Sequence, residues 1–392
     1  MTGDRADSRN RRRVAVVLTT RGNYAKMKTA MAAIAAHPSL ELVTIVGGGI
    51  VQARFGDYRP AIAADGFAID ATADFLVGDG ATLPAQVESA GRATAQIGHL
   101  LLSHRADILV AIADRYETLA IATAAACTNV AIAHLEGGEV SGSIDERIRH
   151  AVTKLAHLHL PATEDAALRI ERMGESRARI AVVGTPSLDQ LRSFDVEDRT
   201  ALCAIGGGSG DALDLSRDFV VVSQHPVPTE LVDAEAQIDA TADAVRATGL
   251  PTIWLLPNMD AGGSGVEAAI DRMRTRGLGV PTRFFPSLSL EAYARLLRHT
   301  RCLVGNSSSG IREGAYLGTP AVNVGSRQSG RQRGKNVVDV PCESGAIAAA
   351  IGRQLAHGRY ESDPVYGDGR AGTRICEAIA SMPLALEKAI TY

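Results

Sequence analysis

The stretch DILVAIADRYE, residues 107–117, is an apolar run that stops at a carboxylate and a guanidinium. From Ile108 to Ile112 every side chain is apolar. Strict alternation would mark a strand with one wet face. A short continuous run bounded by polar residues suits a strand buried on both faces, as in a parallel sheet covered by helices. The expected strand is Asp107–Ile112, with Asp114 and Arg115 just past its carboxyl end.

The pattern recurs along the chain. Further strands are expected at Val14–Thr19, Glu41–Val46, Val130–His134, Ile180–Val183, Phe219–Ser223, Thr252–Leu256, Cys302–Val304 and Ala321–Val324. Ala/Leu-rich helical stretches lie between them, such as Tyr24–Ala36, which stops before Pro38. This βαβ rhythm predicts an α/β doubly wound fold. The segment from Ala204 to Asp218 lacks apolar periodicity and contains GGGSG at 206–210, so it reads as a linker. The expected organisation is a disordered tail at 1–13, a Rossmann-like domain at 14–205, a linker at 206–217 and a second Rossmann-like domain at 218–375. A closing segment follows at 376–392. Two such domains facing across a ligand cleft are the natural architecture.

Composition narrows the function classes. The chain has 392 residues, is 46% hydrophobic and 22% charged, and carries a net charge of −3. That balance disfavours a general nucleic-acid or membrane-surface binder. Aromatics at 4% disfavour base-stacking platforms. Five dispersed cysteines without a C-x-x-C fit a reducing cytosol better than a disulfide scaffold or zinc cluster. The six-residue run VAVVLT after the basic start is too short for a signal sequence.

In open parallel sheets, ligands bind beyond the carboxyl ends of the strands. Here those ends carry Arg21; Asp114 and Arg115; His134 and Glu136; then His225, Asn258, Asp260 and the serines of CLVGNSSSGIRE. Asp145, Glu146 and Arg149 follow at the next helix start after Glu136. Each has an ordinary alternative. Asp114 could cap a helix. Glu136 before Gly137-Gly138 could be a solvated turn carboxylate. Asp145 with Arg149 could be a helix-start charge pattern with an i,i+4 pair. His225 before Pro226 could be a satisfied loop histidine. His157 and His159 read as structural, since no ligand cluster surrounds them. Ser307, Ser308 and Gly310 are the strongest phosphate candidates, because a simple cap needs only one hydroxyl. The stretch matches neither the P-loop nor G-x-G-x-x-G.

The motifs HLEGGEVSGSIDERIRHAVTKLAH, SQHPV, PNMDAG and GNSSSGIREGAYLGTPAVNVGSRQSGR resemble those of the hydrolysing UDP-N-acetylglucosamine 2-epimerases. The similarity runs from about Val14 to near Gly372. It implies the GT-B fold, with a final helix crossing back to the first domain. It implies phosphate contacts from Ser307 and Ser308, ribose contacts from Glu313, and basic contacts from Arg21, Arg115 and Arg327. Asp114, Glu136, Asp145 and His225 are the implied acid/base groups. His134 and Asn258 are placed with the substrate-binding set. The implied reaction turns UDP-GlcNAc and water into ManNAc and UDP, without cofactor or metal. The implied protein is a cytoplasmic homo-oligomer, a dimer or tetramer, acting on a small sugar nucleotide and not on nucleic acid or membrane.

Three positions depart from that pattern: Asn23 where the family carries an acidic residue, Gly49 where it carries histidine, and Ala113 where it carries glycine. All three fall in the first domain. They open an alternative substrate, either another sugar nucleotide or a free sugar phosphate. A glycosyltransferase and a non-catalytic sugar-nucleotide binder are the remaining alternatives.

Overall fold

The computed structural model describes residues 11–391 except 79, 81, 113, 142–144, 228–229, 231–232, 257–263, 287 and 384–385, with 264–268 described by backbone alone. The chain divides into two compact units, residues 1–189 with 367–392, and residues 190–366.

Unit 1 runs β1 (Arg12–Leu18), α1 (Arg21–Ala36), β2 (Leu40–Gly47), α2 (Arg59–Ala64), β3 (Ala71–Ala73), α3 (Leu83–Ser103), β4 (Ile108–Ile112), α4 (Tyr116–Cys127), β5 (Ala131–Leu135), α5 (Asp145–Leu155), β6 (Leu158–Leu160) and α6 (Glu164–Arg172). Helix α7 (Ser187–Leu191) straddles the division. The sheet is parallel with order β3-β2-β1-β4-β5-β6. That is the doubly wound order, whose switch point lies between β1 and β4.

Unit 2 runs β7 (Ser209–Gly210), β8 (Val220–Ser223), α8 (Ala234–Arg246), β9 (Thr252–Leu255), α9 (Ser264–Arg276), β10 (Thr282–Phe285), α10 (Leu290–His299), β11 (Cys302–Gly305), α11 (Glu313–Leu317), β12 (Ala321–Val324), β13 (Val337–Val340) and α12 (Ser344–His357). Its order is β13-β12-β11-β8-β9-β10-β7. Counting from β8, this is the same winding as unit 1, with β7 added antiparallel at one edge. Its switch point lies between β8 and β11. After unit 2 the chain returns to unit 1 as α13 (Ala371–Ser381).

The elements follow from local chemistry. Thr20 caps α1, accepting from the Asn23 amide at 3.1 Å. His37 ends that helix, because the residue before Pro38 is held out of the helical region. Helix α13 turns Ile375, Cys376 and Ile379 into the core that Met27, Met31 and Ile34 of α1 share. Each fully buried isoleucine contributes about 2 kcal/mol of transfer free energy.

The structure differs from the sequence expectation in places. The glycine-rich segment is not a free linker: Ser209 and Gly210 form β7, and Arg283 donates to the Gly207 carbonyl at 2.6 Å. The division falls at 189/190 and 366/367, so residues 190–205 belong to unit 2 and 367–375 to unit 1. Arg12 and Arg13, expected in the tail, are in β1. The closing helix begins at Ala371 and ends at Ser381. Ile180–Val183 forms only a single bridge, Ile180 to His159. The short strands β3, β6, β7, β10 and β13 were not expected; each is too brief, or too broken by polar residues, to show a run.

Candidate functional site

In unit 1, candidate side chains lie beyond β1, β4 and β5. Glu136 follows β5 in the left-handed region, with φ +60°, and is 5% exposed. A non-glycine residue held there costs roughly 1–3 kcal/mol and persists only where its surroundings fix it. They do so here. Lys26 Nζ lies 2.6 Å from Oε2, the Thr185 hydroxyl donates to Oε1 at 2.7 Å, and the Glu136 amide donates to the Leu160 carbonyl at 3.0 Å. Gly138 has φ +75°, and a Cβ there would lie 2.2 Å from the Ala166 carbonyl oxygen. The turn is packed against α6, so the solvated-turn alternative for Glu136 falls.

Asp114, beyond β4, receives a guanidinium hydrogen bond from Arg149. Arg149 is buried and also donates to the Glu139 carbonyl at 2.6 Å and the Ser141 hydroxyl at 3.0 Å. Arg149 therefore joins β4 to α5 rather than serving only a local i,i+4 pattern. Asp145 is the first residue of α5 and half-buried, and Glu146 accepts from the Ser141 amide at 2.5 Å. Arg115 is exposed and paired with Glu117 at 3.2 Å. Arg21 is exposed at the first residue of α1.

His134 is expected among the ligand contacts. It lies inside β5, fully buried, with Nδ1 3.2 Å from the Thr153 hydroxyl of α5. Burial in the sheet makes it a support for α5. His157 and His159 are likewise structural: His159 Nε2 lies 3.0 Å from Glu175, and the His157 ring nitrogen Nδ1 accepts from the Ile132 amide at 3.1 Å.

In unit 2, His225 after β8 and Asn306 after β11 meet at the switch point. The His225 amide donates to Asn306 Oδ1 at 2.7 Å, and Asn306 Nδ2 donates to the His225 carbonyl at 2.8 Å. Gly305, with φ +129°, permits this approach; a Cβ there would lie 2.3 Å from the Ser223 carbonyl oxygen. Arg327 and Gln328 donate to the Asn306 carbonyl at 3.1 and 2.9 Å. Ser307 Oγ lies 2.8 Å from Ser309 Oγ, which also pairs with the Tyr293 hydroxyl. Burial pushes the Tyr293 phenol above its usual range.

The serines do not open a long helix. Ser308–Gly310 is a single 3₁₀ turn, and α11 is five residues long beginning at Glu313. Helix-dipole attraction is correspondingly small, leaving hydroxyls and turn amides as the donors. Ser307, Ser308 and Glu313 are partly exposed, whereas Gly310 is buried with its carbonyl bound by Asn336 at 2.9 Å. Asn258 and Asp260 lie outside the described residues.

Sequence reasoning missed Lys26, Thr185, Tyr293 and Asn306 as site candidates. Lys26 had no distinct signal, since Arg21 and Lys28 are further cations of the same helix. Asn23 is buried, its Oδ1 accepting from the Thr19 hydroxyl at 2.6 Å. Gly49 has no positive φ, and a Cβ there would find its nearest atoms at 3.6 and 3.7 Å, so the backbone does not demand glycine.

A family model described as UDP-N-acetylglucosamine 2-epimerase matches residues 32–380. A Legionella pneumophila protein named UDP-N,N'-diacetylbacillosamine 2-epimerase (hydrolyzing) is 32% identical over 380 residues, covering 95% of this chain and 97% of that protein. A Neisseria meningitidis UDP-N-acetylglucosamine 2-epimerase is 30% identical over 371 residues, covering 94% and 95%. Among solved structures, the Methanocaldococcus jannaschii UDP-GlcNAc 2-epimerase in complex with UDP-GlcNAc and UDP aligns with a TM-score of 0.74 at 16% identity, covering 94% of this chain and 99% of that one. That likeness shows the fold, which is of the GT-B type. With the family model spanning most of its length, the chain belongs to the UDP-N-acetylglucosamine 2-epimerase family and is a sugar 2-epimerase.

Proposed function

We propose that the chain is a hydrolysing 2-epimerase that converts UDP-GlcNAc and water to ManNAc and UDP. The observation that carries this reading is Glu136, a buried carboxylate in a strained turn, set between an ammonium and a hydroxyl. The proton on carbon 2 of the sugar is not acidic, so its removal must accompany departure of the diphosphate. Glu136, Asp114 and Asp145 supply the proton-handling groups, with His225 as a further candidate from unit 2. Ser307 and Ser308 donate to the phosphates, Arg21, Arg115 and Arg327 offset their charge, and Glu313 accepts from the ribose hydroxyls.

In the first step the C1–O bond to UDP breaks and the carbon-2 proton passes to a carboxylate, leaving 2-acetamidoglucal. In the second, water adds at carbon 1 and a proton returns to carbon 2 on the opposite face. Two faces need two proton carriers, which accounts for more than one carboxylate. The test is incubation with UDP-GlcNAc in deuterated water. UDP release with ManNAc labelled at carbon 2 is expected. Labelled UDP-ManNAc without UDP release, or exchange only into free sugar phosphates, would overturn the reading.

A second substrate has its own support. The Legionella relative is named for a diacetylated sugar, and Gly49 lacks a side chain where one would fit. UDP-N,N'-diacetylbacillosamine, with its additional acetamido group, would use that room. A higher kcat/KM for it than for UDP-GlcNAc would move the assignment to that substrate.

A further inference from the structure

Helix α5 carries Asp145 in its first turn and Arg149, the partner of Asp114, one turn later. Its other end is held by a segment far away in sequence. Lys388 Nζ donates to the Thr153 carbonyl at 3.1 Å and the Ala156 carbonyl at 2.6 Å, and lies 2.8 Å from Glu175 Oε2. Glu175, 3% exposed, also meets Lys154 Nζ at 2.5 Å and His159 Nε2 at 3.0 Å. The neighbours of Lys388 are tied down too: the Thr391 amide donates to the Gly174 carbonyl at 3.0 Å, and His157 Nε2 lies 3.1 Å from the Leu386 carbonyl oxygen.

Two ammonium groups meeting one buried carboxylate leave a surplus positive charge. An ion pair alone needs only Lys154. The surplus is offset by carbonyls at the negative end of α5, where a cation is favoured. Lys388 therefore serves the helix end as much as it serves Glu175. Thr153 extends the connection: its hydroxyl donates to the Arg149 carbonyl at 3.1 Å and lies 3.2 Å from His134 in β5, the strand that leads into Glu136.

We propose that Lys388 is a positioning residue of the unit 1 half-site: by fixing the carboxyl end of α5, it sets where Asp145 and Arg149, and through Arg149 Asp114, present their charges. The inference rests on the reading of these carboxylates as proton-handling groups. An eleven-residue helix is about 16 Å long and stiff, so slip at one end reaches the other. A displacement of about 1 Å at reacting groups costs as much as 10²-fold in rate.

The test compares Lys388→Met and Lys388→Arg with the wild-type protein. Turnover is normalised to the number of UDP sites counted by calorimetry, which removes any unfolded fraction. For Lys388→Met, kcat per site is expected to fall about tenfold, with KM for the nucleotide sugar and Kd for UDP within about twofold of wild type. Lys388→Arg restores charge but not a single nitrogen shared by both carbonyls, and is expected about threefold below wild type. Unchanged kcat per site in Lys388→Met, with only a lower Tm, would overturn the inference. If that variant does not fold, Lys388→Arg decides: wild-type kcat there overturns it, and a kcat loss at constant KM supports it. A wild-type protein that binds UDP but exchanges no deuterium at carbon 2 would instead overturn the reaction reading, and this inference with it.

Discussion

The two units share one winding but join their switch points with different chemistry. In unit 1 the bridges are ionic: Lys26 to Glu136 and Arg149 to Asp114. In unit 2 the described residues add neutral bridges: an asparagine amide across His225 and Asn306, and a hydroxyl chain through Tyr293, Ser309 and Ser307. The contrast fits a division of labour. A carboxylate that is to take a proton from carbon needs to be held in place, which an ion pair does. Groups that are to receive a diphosphate can be held by neutral hydrogen bonds instead.

The comparison can be broken in several places. The largest effect is expected from Glu136→Gln, which should lower carbon-2 exchange by 10³-fold or more while leaving UDP affinity within about twofold. A large loss of UDP affinity by calorimetry would show that the ionic and neutral halves are not separate. Next, Gly305→Ala forces a side chain into a positive-φ position against the Ser223 backbone. It should cost roughly 3 kcal/mol or more of stability by chemical denaturation, and an unchanged midpoint would deny the close approach of β8 and β11. Asn306→Ala removes both side-chain bonds to the His225 backbone. It should weaken UDP binding about tenfold, the equivalent of ~1.4 kcal/mol, with little change in kcat at saturation.

The smallest effect concerns acid. Burial first, and nearby cations second, push His150 down; burial also leads the downward shifts of His157 and His159. Unfolded histidine takes up its proton near pH 6.5, so stability from these groups is present above that pH and declines below it. Glu175 extends the decline. Burial alone would raise its carboxyl, but hydrogen bonds from His159, Lys154 and Lys388 outweigh burial and hold it at about 2. Its contribution is lost as pH falls from about 4.5 toward about 2. Calorimetric scans should show the transition of unit 1 moving down progressively between pH 7 and pH 3. A Tm that rises on acidification below pH 6 would refute the sign.

The fold was legible wherever burial on both faces produced an unbroken apolar run. Central strands such as β1, β4 and β8 announce themselves this way. Edge strands do not: β13 is only partly covered, and β7 is two exposed residues that read as linker. Side chains at strand ends were legible by position, since the winding places them together. Their partners were not. Lys26 lies 110 residues from Glu136 and Tyr293 lies 16 from Ser309, and no spacing in the chain encodes either meeting. The length of the helix behind the serine cluster was not legible, because a hydroxyl that caps a long helix can equally cap a single turn, here closed by Asn336 from the turn before β13.

Asp189 stands at the first crossing between the units, and its carboxylate accepts from the amides of Ala371 and Gly372 at 2.8 and 2.7 Å and from the Thr29 hydroxyl at 2.9 Å. Unit 2 is one continuous stretch, whereas unit 1 needs both ends of the chain to close that junction. On the ribosome, where domains fold as units while the chain emerges, unit 2 can therefore finish first although it is encoded second. The β-sheet of unit 1 must wait, its α1 face uncovered, until α13 arrives. Protease protection of stalled nascent chains would follow that order, with residues 190–366 becoming resistant before residues 11–189.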